Sequence, residues 1–384
     1  MSILLRAALL LCLLAGPVVA AEPPFATELV IGFGYEGSAT QRPVVVLDGT
    51  PSSAYEYSAD GRAHLLDVAA TRWFSPVADD DGRTPIALLP FVARASSATA
   101  RFALTGTSRD SFGSFSGQES SLEVRLAGDG SLREADLSAE WFFGGSLAVR
   151  GSFEYENERE TAASTSVERP SGRADVSTTG TRESVATGAL GVAFRLGEHE
   201  VSATGSYGEA DQTRDDASAF TGRAQPFFST LTSEGIVRRG TLGTRLLFLD
   251  RRLAVDVSGS YALTTSSTDL AALLSGPFVQ GRAIAREAAV EATWFASRRL
   301  GLSAGFGYGT KDVSSGSPGR VRPSRAETAR TFSARVRWFA SERVSAILSA
   351  QQTESEEISP PDSSTYQRFE ETVDRVTLGA ALRF

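Results

Sequence analysis

The chain has 384 residues, 38 Lys and Arg against 46 Asp and Glu, a net charge of -8 and an ordinary 41% of hydrophobic residues. With a pI near 5.1 and no basic stripe, nucleic acid is excluded as a partner, since nothing would neutralise a phosphate backbone. The single cysteine, Cys12, lies in the leader described next, which excludes a disulfide scaffold and Cys-based metal sites from the rest of the chain.

Residues 1–21 read as a signal peptide. Met1 to Arg6 is a short basic start, Ala7 to Gly16 is an apolar run, and Pro17-Val18-Val19-Ala20-Ala21 offers small residues for cleavage. The apolar run is shorter than the ~20 residues that cross a bilayer as a helix. Residues 22–384 are then expected to form one domain. Only about Ala21 to Ala26 precedes the first strand, which leaves no room for a plug domain ahead of it.

From there the chain alternates. Leu29, Ile31, Phe33 and Tyr35 fall on one face of a first strand with glycines between them, and residues 37 to 57 read as a loop. A second strand runs from about Arg62 to Phe74, with Arg72 on its apolar side near the strand end, placed to snorkel. Ser75 to Ser97 breaks the rhythm. Beyond it, hairpins follow with alternately short and long connections. Trp141 and Phe143 run into Gly144-Gly145, Phe194 and Leu196 into Gly197-Glu198-His199, and Phe248 into Asp250-Arg251-Arg252. Trp294 leads into Ser297-Arg298-Arg299, and Trp338 into Ser341-Glu342-Arg343. The polar segments Glu156 to Arg182, Asp211 to Leu231 and Thr353 to Gln367 are expected to be long loops on the other side.

The last strand alternates to the final residue: Val376, Leu378, Ala380, Leu382 and Phe384 are apolar, with Arg375, Thr377, Gly379, Ala381 and Arg383 between them. It resembles the terminal signal of Gram-negative outer-membrane barrels, in which Leu378, Leu382 and Phe384 would carry the targeting pattern. Aromatics sort by strand end, with Phe143, Phe194, Phe248, Trp294, Trp338 and Phe384 near short turns. Tyr35, Tyr155, Tyr207, Tyr261 and Tyr308 lie near long loops, as two interfacial girdles would require. The expected fold is all-β, a transmembrane antiparallel up-and-down β-barrel of 14 strands. Sixteen is the alternative if Val44 to Leu47 and the run Leu122, Val124, Leu126 are both strands. A mean hydropathy of -0.10 is compatible, because lumen and lipid faces average out.

Trp73-Phe74-Ser75-Pro76-Val77, an acidic Gly/Pro turn, and Phe91-Val92-Ala93-Arg94-Ala95-Ser96-Ser97 together resemble the signature of a group of proteobacterial outer-membrane porins. About twenty-five residues carry the likeness. The chain departs from it at Ile86-Ala87-Leu88-Leu89-Pro90, where that group has a small acidic stretch. The resemblance implies a porin-like barrel.

Opposite the lipid-facing set, the interior is expected to carry Arg101, Arg150, Arg195, Arg239, Arg245, Arg335, Arg337, Arg375 and Arg383. Against them stand Asp67, Asp136, Glu140, Glu154, Asp256, Glu287 and Glu291. Such charges need water or partners, which makes the interior a water-filled channel or a paired polar core; at this strand number the channel is favoured. Two arrangements of these charges stay open: opposed acidic and basic walls, or lateral salt bridges. Glycines 301, 305, 307 and 309 leave one wall clear.

The expected function is passive diffusion of small hydrophilic solutes across the outer membrane. The alternatives are a barrel that binds or anchors at the surface without transport and, less favoured, a hydrolase. Only His64 and His199 could serve catalysis, and neither has a partner constellation, so no catalytic or metal residue and no cofactor are assigned. Expected partners are outer-membrane lipid and lipopolysaccharide, the solutes, and the periplasmic chaperones and barrel-assembly machinery that any such barrel uses.

Overall fold

The computed structural model describes residues 25–42, 54–77, 83–116, 121–143, 145–169, 174–220, 227–269, 279–317, 320–358 and 368–384. Alternation of apolar and polar residues at period two yields fourteen strands. They are β1 (Phe25–Arg42), β2 (Ala54–Val77), β3 (Ser97–Ser116), β4 (Ser121–Phe143), β5 (Leu147–Arg169), β6 (Ala174–Leu196) and β7 (His199–Phe220), then β8 (Phe227–Phe248), β9 (Leu253–Asp269), β10 (Val279–Ser297), β11 (Leu300–Ser317), β12 (Arg320–Phe339), β13 (Val344–Ile358) and β14 (Arg368–Arg383). Each pairs antiparallel with its neighbours in sequence, and β1 pairs with β14, so the sheet closes into a barrel. Glu28 to Gln41 meets Arg383 to Glu370 along that seam, and the Phe384 amide donates to the Thr27 carbonyl 2.9 Å away. Closure satisfies every strand edge, the condition for a sheet surrounded by lipid.

Apolar side chains cover the outside. Leu137, Trp141, Phe153, Leu190, Leu242, Trp294, Leu348 and Phe384 are all exposed, which no water-soluble exterior of this extent would tolerate. On β5 the band runs from Leu147 to Tyr155, nine residues. At ~3.3 Å per residue that is about 30 Å of strand, or about 23 Å of height at a tilt of ~40°, close to the ~25 Å apolar band of membrane barrels. Outward tyrosines 35, 155, 207, 261 and 308 mark its far edge.

Strands of 15 to 24 residues exceed what such a band needs, so the walls rise past the tyrosines. The expected loops are in part ladder: residues 37–42 belong to β1, 54–57 to β2 and Thr353 to Ile358 to β13. Glu156 to Arg169 continues β5 and pairs with β6 as far as Val167 opposite Ala174, and most of Asp211 to Leu231 belongs to β7 and β8. Ser/Thr-rich sequence hides these strands because both faces are wet there and the period-two signal fades. The run Leu122, Val124, Leu126 is absorbed into the single strand β4, which keeps the count even. Val44 to Leu47 lies outside the described residues.

Connections at the short-turn end are tight except one. Between β2 and β3, a 3-10 turn (Ile86–Leu88) runs into the one-turn helix α1 (Leu89–Val92). This segment folds inward and carries the principal buried apolar clusters of the molecule.

Candidate functional site: the barrel interior

On every strand the residues between the lipid-facing ones face inward, and there the charged side chains meet across strands. Arg101 on β3 reaches Asp67 at 3.0 Å on β2, with Asp136 at 3.1 Å and Glu134 at 3.5 Å on β4. Arg150 lies 2.6 Å from Glu140 and 2.5 Å from Glu200, and Arg195 lies 2.9 Å from the same Glu200. Arg245 pairs with Asp256 at 2.6 Å, Arg335 with Glu291 at 3.7 Å, Arg337 with Glu28 at 3.0 Å and Arg375 with Glu36 at 2.5 Å. Arg383 shares Glu28. Glu287 accepts from the Ser260 hydroxyl at 3.2 Å. Arg239 and Glu154 occupy the inward register with no ion pair among the described residues.

Of the two arrangements left open by the sequence, the lateral one is present: each pair joins strands that adjoin or lie within a few staves of each other. The partially exposed pairs contribute little individually, ~0–1 kcal/mol. The carboxylate partners Glu28, Glu36 and Glu200 were legible in principle, since each sits at the inward parity of its strand.

At the short-turn end the β2–β3 segment packs apolar side chains into the interior. Ile86 is fully buried among Trp73, Val77, Leu89, Ala95 and Phe339. Leu88 packs with Leu247, Ala254 and Phe295. Trp73, Val77, Leu247, Ala254, Phe295 and Phe339 are inward-facing apolar residues near the ends of β2, β8, β9, β10 and β12, and they receive the segment. Backbone bonds fix it: the Ile86 amide donates to the Arg298 carbonyl at 3.0 Å, and Arg383 Nη1 donates to the Ile86 carbonyl at 3.1 Å. The Arg195 guanidinium donates to the Phe91 carbonyl and lies between the Phe91 and Phe142 rings, 4.0 and 4.4 Å from their centroids. Arg94 donates to the carbonyls of Gly145 and Gly197, and Arg251 to the Thr84 hydroxyl at 2.6 Å.

Arg195 and Arg383, expected in an open lumen, are therefore 5% and 3% exposed beneath this plug. The plug comes from the β2–β3 connection and not from a segment ahead of β1. The two halves of the Trp-Phe-Ser-Pro-Val and Phe-Val-Ala-Arg-Ala-Ser-Ser pattern meet in it, for Trp73, Val77 and Ala95 share one cluster while Phe91 and Arg94 make the polar contacts. The apolar run Ile86 to Leu89 is the plug's own core.

Above the plug, on the β9–β12 side, a cavity of about 710 Å³ is lined by Arg245, Asp256, Glu287, Glu291, Ser333 and Arg335, with Gly305, Gly307 and Gly309 leaving that wall bare. Opposite, on β4–β6 past the Tyr155 level, carboxylates face each other: Glu134 is directly across from Glu156, and Glu158 from Glu183. Glu156 lies beyond the membrane band; burial and the neighbouring Glu134, Glu158, Glu154 and Glu183 raise its pKa above the ordinary carboxylate value. Burial, Glu183 and Glu160 do the same to Glu158.

Neither histidine belongs to a reactive arrangement. The ring of His64 lies on the outer wall, 5.6 Å from that of Tyr35, and His199 Nδ1 accepts the Leu247 amide at 3.2 Å to fix a turn. Arg72, also outward, donates to Thr27 Oγ1 at 2.9 Å at the band's edge. Leu378, Leu382 and Phe384 all point outward.

No family model matches the chain, and no curated protein matches it. Solved structures share its fold. A TodX monoaromatic hydrocarbon channel variant superposes with a TM-score of 0.54 at 11% identity, covering 97% of this chain and 94% of its own. The Pseudomonas putida toluene transporter TodX superposes at 0.51 and 9% identity, covering 97% and 93%. This is the fold of outer-membrane channel barrels.

Proposed function

We propose that the protein is an outer-membrane channel for passive diffusion of small hydrophilic solutes, narrowed at its periplasmic end by the inward-folded segment 83–96. In outer-membrane barrels the short turns face the periplasm, which puts the plug there and the raised walls outside. The observation that carries the reading is the interior surface above the plug. The Arg245–Asp256 and Arg335–Glu291 pairs, with Glu287, Thr331 and Ser333, line an open cavity there, a set of polar groups that suits hydrated solutes. The structural neighbours are named for hydrocarbons. A charged wall of this kind suits polar cargo instead. The facing carboxylates of β4–β6 at the mouth add a preference for cations, by concentrating them at the entrance. The reading includes no enzymatic step. The porin resemblance of the β2–β3 segment agrees with it, as does the leader expected over residues 1–21 from the sequence.

The plug itself favours a second reading, a sealed barrel that anchors or binds at the surface. Planar-bilayer recording separates the two: discrete conductance steps with a cation-favouring reversal potential under a salt gradient are expected. Folded protein, verified by heat-shifted gel mobility, that gives no steps at any voltage refutes the channel.

A further inference from the structure

One register row crosses the lumen wall above the plug. The inward residues Asp256, Glu291, Gly305, Ser333, Gln351 and Arg375 stand directly opposite one another in turn, from β9 round to β14. Both ends of the row are taken: Asp256 receives the fork of Arg245 at 2.6 and 3.3 Å, and Arg375 meets Glu36 at 2.5 Å. In the middle, Glu291 faces Arg335, two residues from Ser333 on the same strand, across 3.7 Å. That is too long for a hydrogen bond, and among the described residues no hydrogen bond engages either side chain. Every other interior arginine paired below the tyrosine girdle has a carboxylate at 3.0 Å or less. Arg335 stays 53% exposed.

The loose pair stands where two hollows join. The cavity of about 710 Å³ and a niche of about 60 Å³ share Glu291, Ser333 and Arg335 as lining. Gly305 keeps the junction open, for a Cβ there would lie 2.5 Å from Ser333 Oγ and 3.7 Å from Glu291 Cβ. Ser303, Ser349 and Gln351 make the niche polar, whereas on the cavity side Ala289, Gly307 and Ala329 form a smooth stretch without charge. Ala288, three residues from Glu291, is opposite Tyr308, so the pair lies about 8 Å below the tyrosine girdle at ~3.3 Å per residue and ~40° tilt. Lys311 is six residues up β11 from Gly305, ~20 Å along the strand, too far to fill the gap.

We infer that Glu291 and Arg335 form a binding site for α-amino acids as zwitterions, an inference that rests on the channel proposed above and names one class of its solutes. The solute carboxylate accepts from the Arg335 guanidinium at the niche, its ammonium donates to Glu291, and a small side chain lies along Ala289 and Gly307. A zwitterion answers both groups at once. A simple cation or anion answers one and leaves the other unmet, and a neutral solute brings charge to neither.

The test measures binding and permeation separately on the folded barrel. Saturation-transfer NMR in detergent compares L-alanine with propionate, which lacks the ammonium, and with ethylammonium, which lacks the carboxylate. L-alanine is expected to bind in the millimolar range, at least tenfold more tightly than either analogue. Arg335→Gln and Glu291→Gln are each expected to bring L-alanine down to the level of the analogues, and Arg335→Lys, which keeps the charge without the fork, to fall between. Equal binding of all three probes by wild type, or a glutamine variant that keeps the preference, overturns the site. Should the glutamine variants fail to show heat-shifted gel mobility, Gly305→Ala, which narrows the junction, must weaken L-alanine binding, and undiminished binding there overturns the site. In planar bilayers, L-alanine is expected to block the potassium current at the concentrations at which it binds; a current unchanged by bound L-alanine places the binding outside the lumen and overturns the site. Folded protein that binds L-alanine with this preference yet passes no current upholds the site and refutes the channel, whereas current steps with equal binding of the three probes refute the site and leave the channel.

Discussion

Truncating Ile86 to alanine tests the plug as the barrier to flow. The side chain is fully buried between Trp73, Val77, Leu89, Ala95 and Phe339, with no neighbour free to collapse into the space because each is anchored on a strand or on the segment itself. Three carbons are removed, worth about 2.4 kcal/mol at ~0.8 kcal/mol each, and a residual cavity brings the total into the ~2–5 kcal/mol range. The loss falls on the docked state only, since an undocked segment exposes Ile86 to water in either version. Taking ~3 kcal/mol, the undocked population rises roughly 150-fold. In single-channel recordings, wild type is expected to show a small conductance with rare large openings, and Ile86→Ala to spend far longer in the large-conductance state. Ile86→Val, which removes one carbon and costs ~0.5–1.5 kcal/mol, should lie between. If Ile86→Ala remains heat-modifiable on a gel and its trace matches wild type in amplitude and dwell time, the segment does not control the pore.

Replacing Glu28 by glutamine leaves Arg337 and Arg383 without the carboxylate they share at the buried base of the seam; the cost is ~3–5 kcal/mol, seen as a lower urea midpoint for unfolding from detergent or lipid. Gly208→Ala places a Cβ 2.5 Å from Thr187 Oγ1 and 2.6 Å from the Ala186 carbonyl, whereas Gly205→Ala meets nothing within 4 Å. The first should lower stability by ~1–3 kcal/mol and the second leave the melting temperature within error, a contrast read by thermal gel shift. Cation preference should decline with acidification. Because Glu156 and Glu158 hold their protons more readily than an ordinary carboxyl, the reversal potential in a KCl gradient should shrink as pH falls toward 4.5, at a higher pH than unperturbed carboxylates would give. A potential constant until well below pH 4.5 contradicts this, as does an unchanged potential in Glu156→Gln/Glu158→Gln.

Much of the barrel is written in period two. Leu147, Val149, Phe153 and Tyr155 disclose both the direction and the depth of β5, and the same holds for β9 to β14, so strand count and facing are legible. The pattern falls silent above the tyrosines, where Thr161 to Thr165 has water on both sides and a ladder looks like a loop. It is silent as well on pairing: parity says that Arg101 and Asp136 point inward, but register decides that they touch. The plug was the least legible part. Its apolar run, Ile86 to Leu89, has no periodicity of its own and makes sense only against Trp73, Leu247, Phe295 and Phe339. These inward apolar residues stand at strand ends, where the rest of the lumen is polar.

That segment also orders the events of assembly. It is synthesised after only two strands, yet its docking surfaces come from β6, β8 to β10, β12 and β14, and the Arg383 contact to the Ile86 carbonyl bridges 297 positions. Loop-closure entropy makes contacts of such separation late ones. The plug's receptor is incomplete until β14 brings Arg383 to the Ile86 carbonyl, so its full docking follows closure. A fluorophore near Trp73 would then report the moment the barrel is complete, and a chain stalled with its seam open would leave Ile86, Leu88 and Leu89 uncovered.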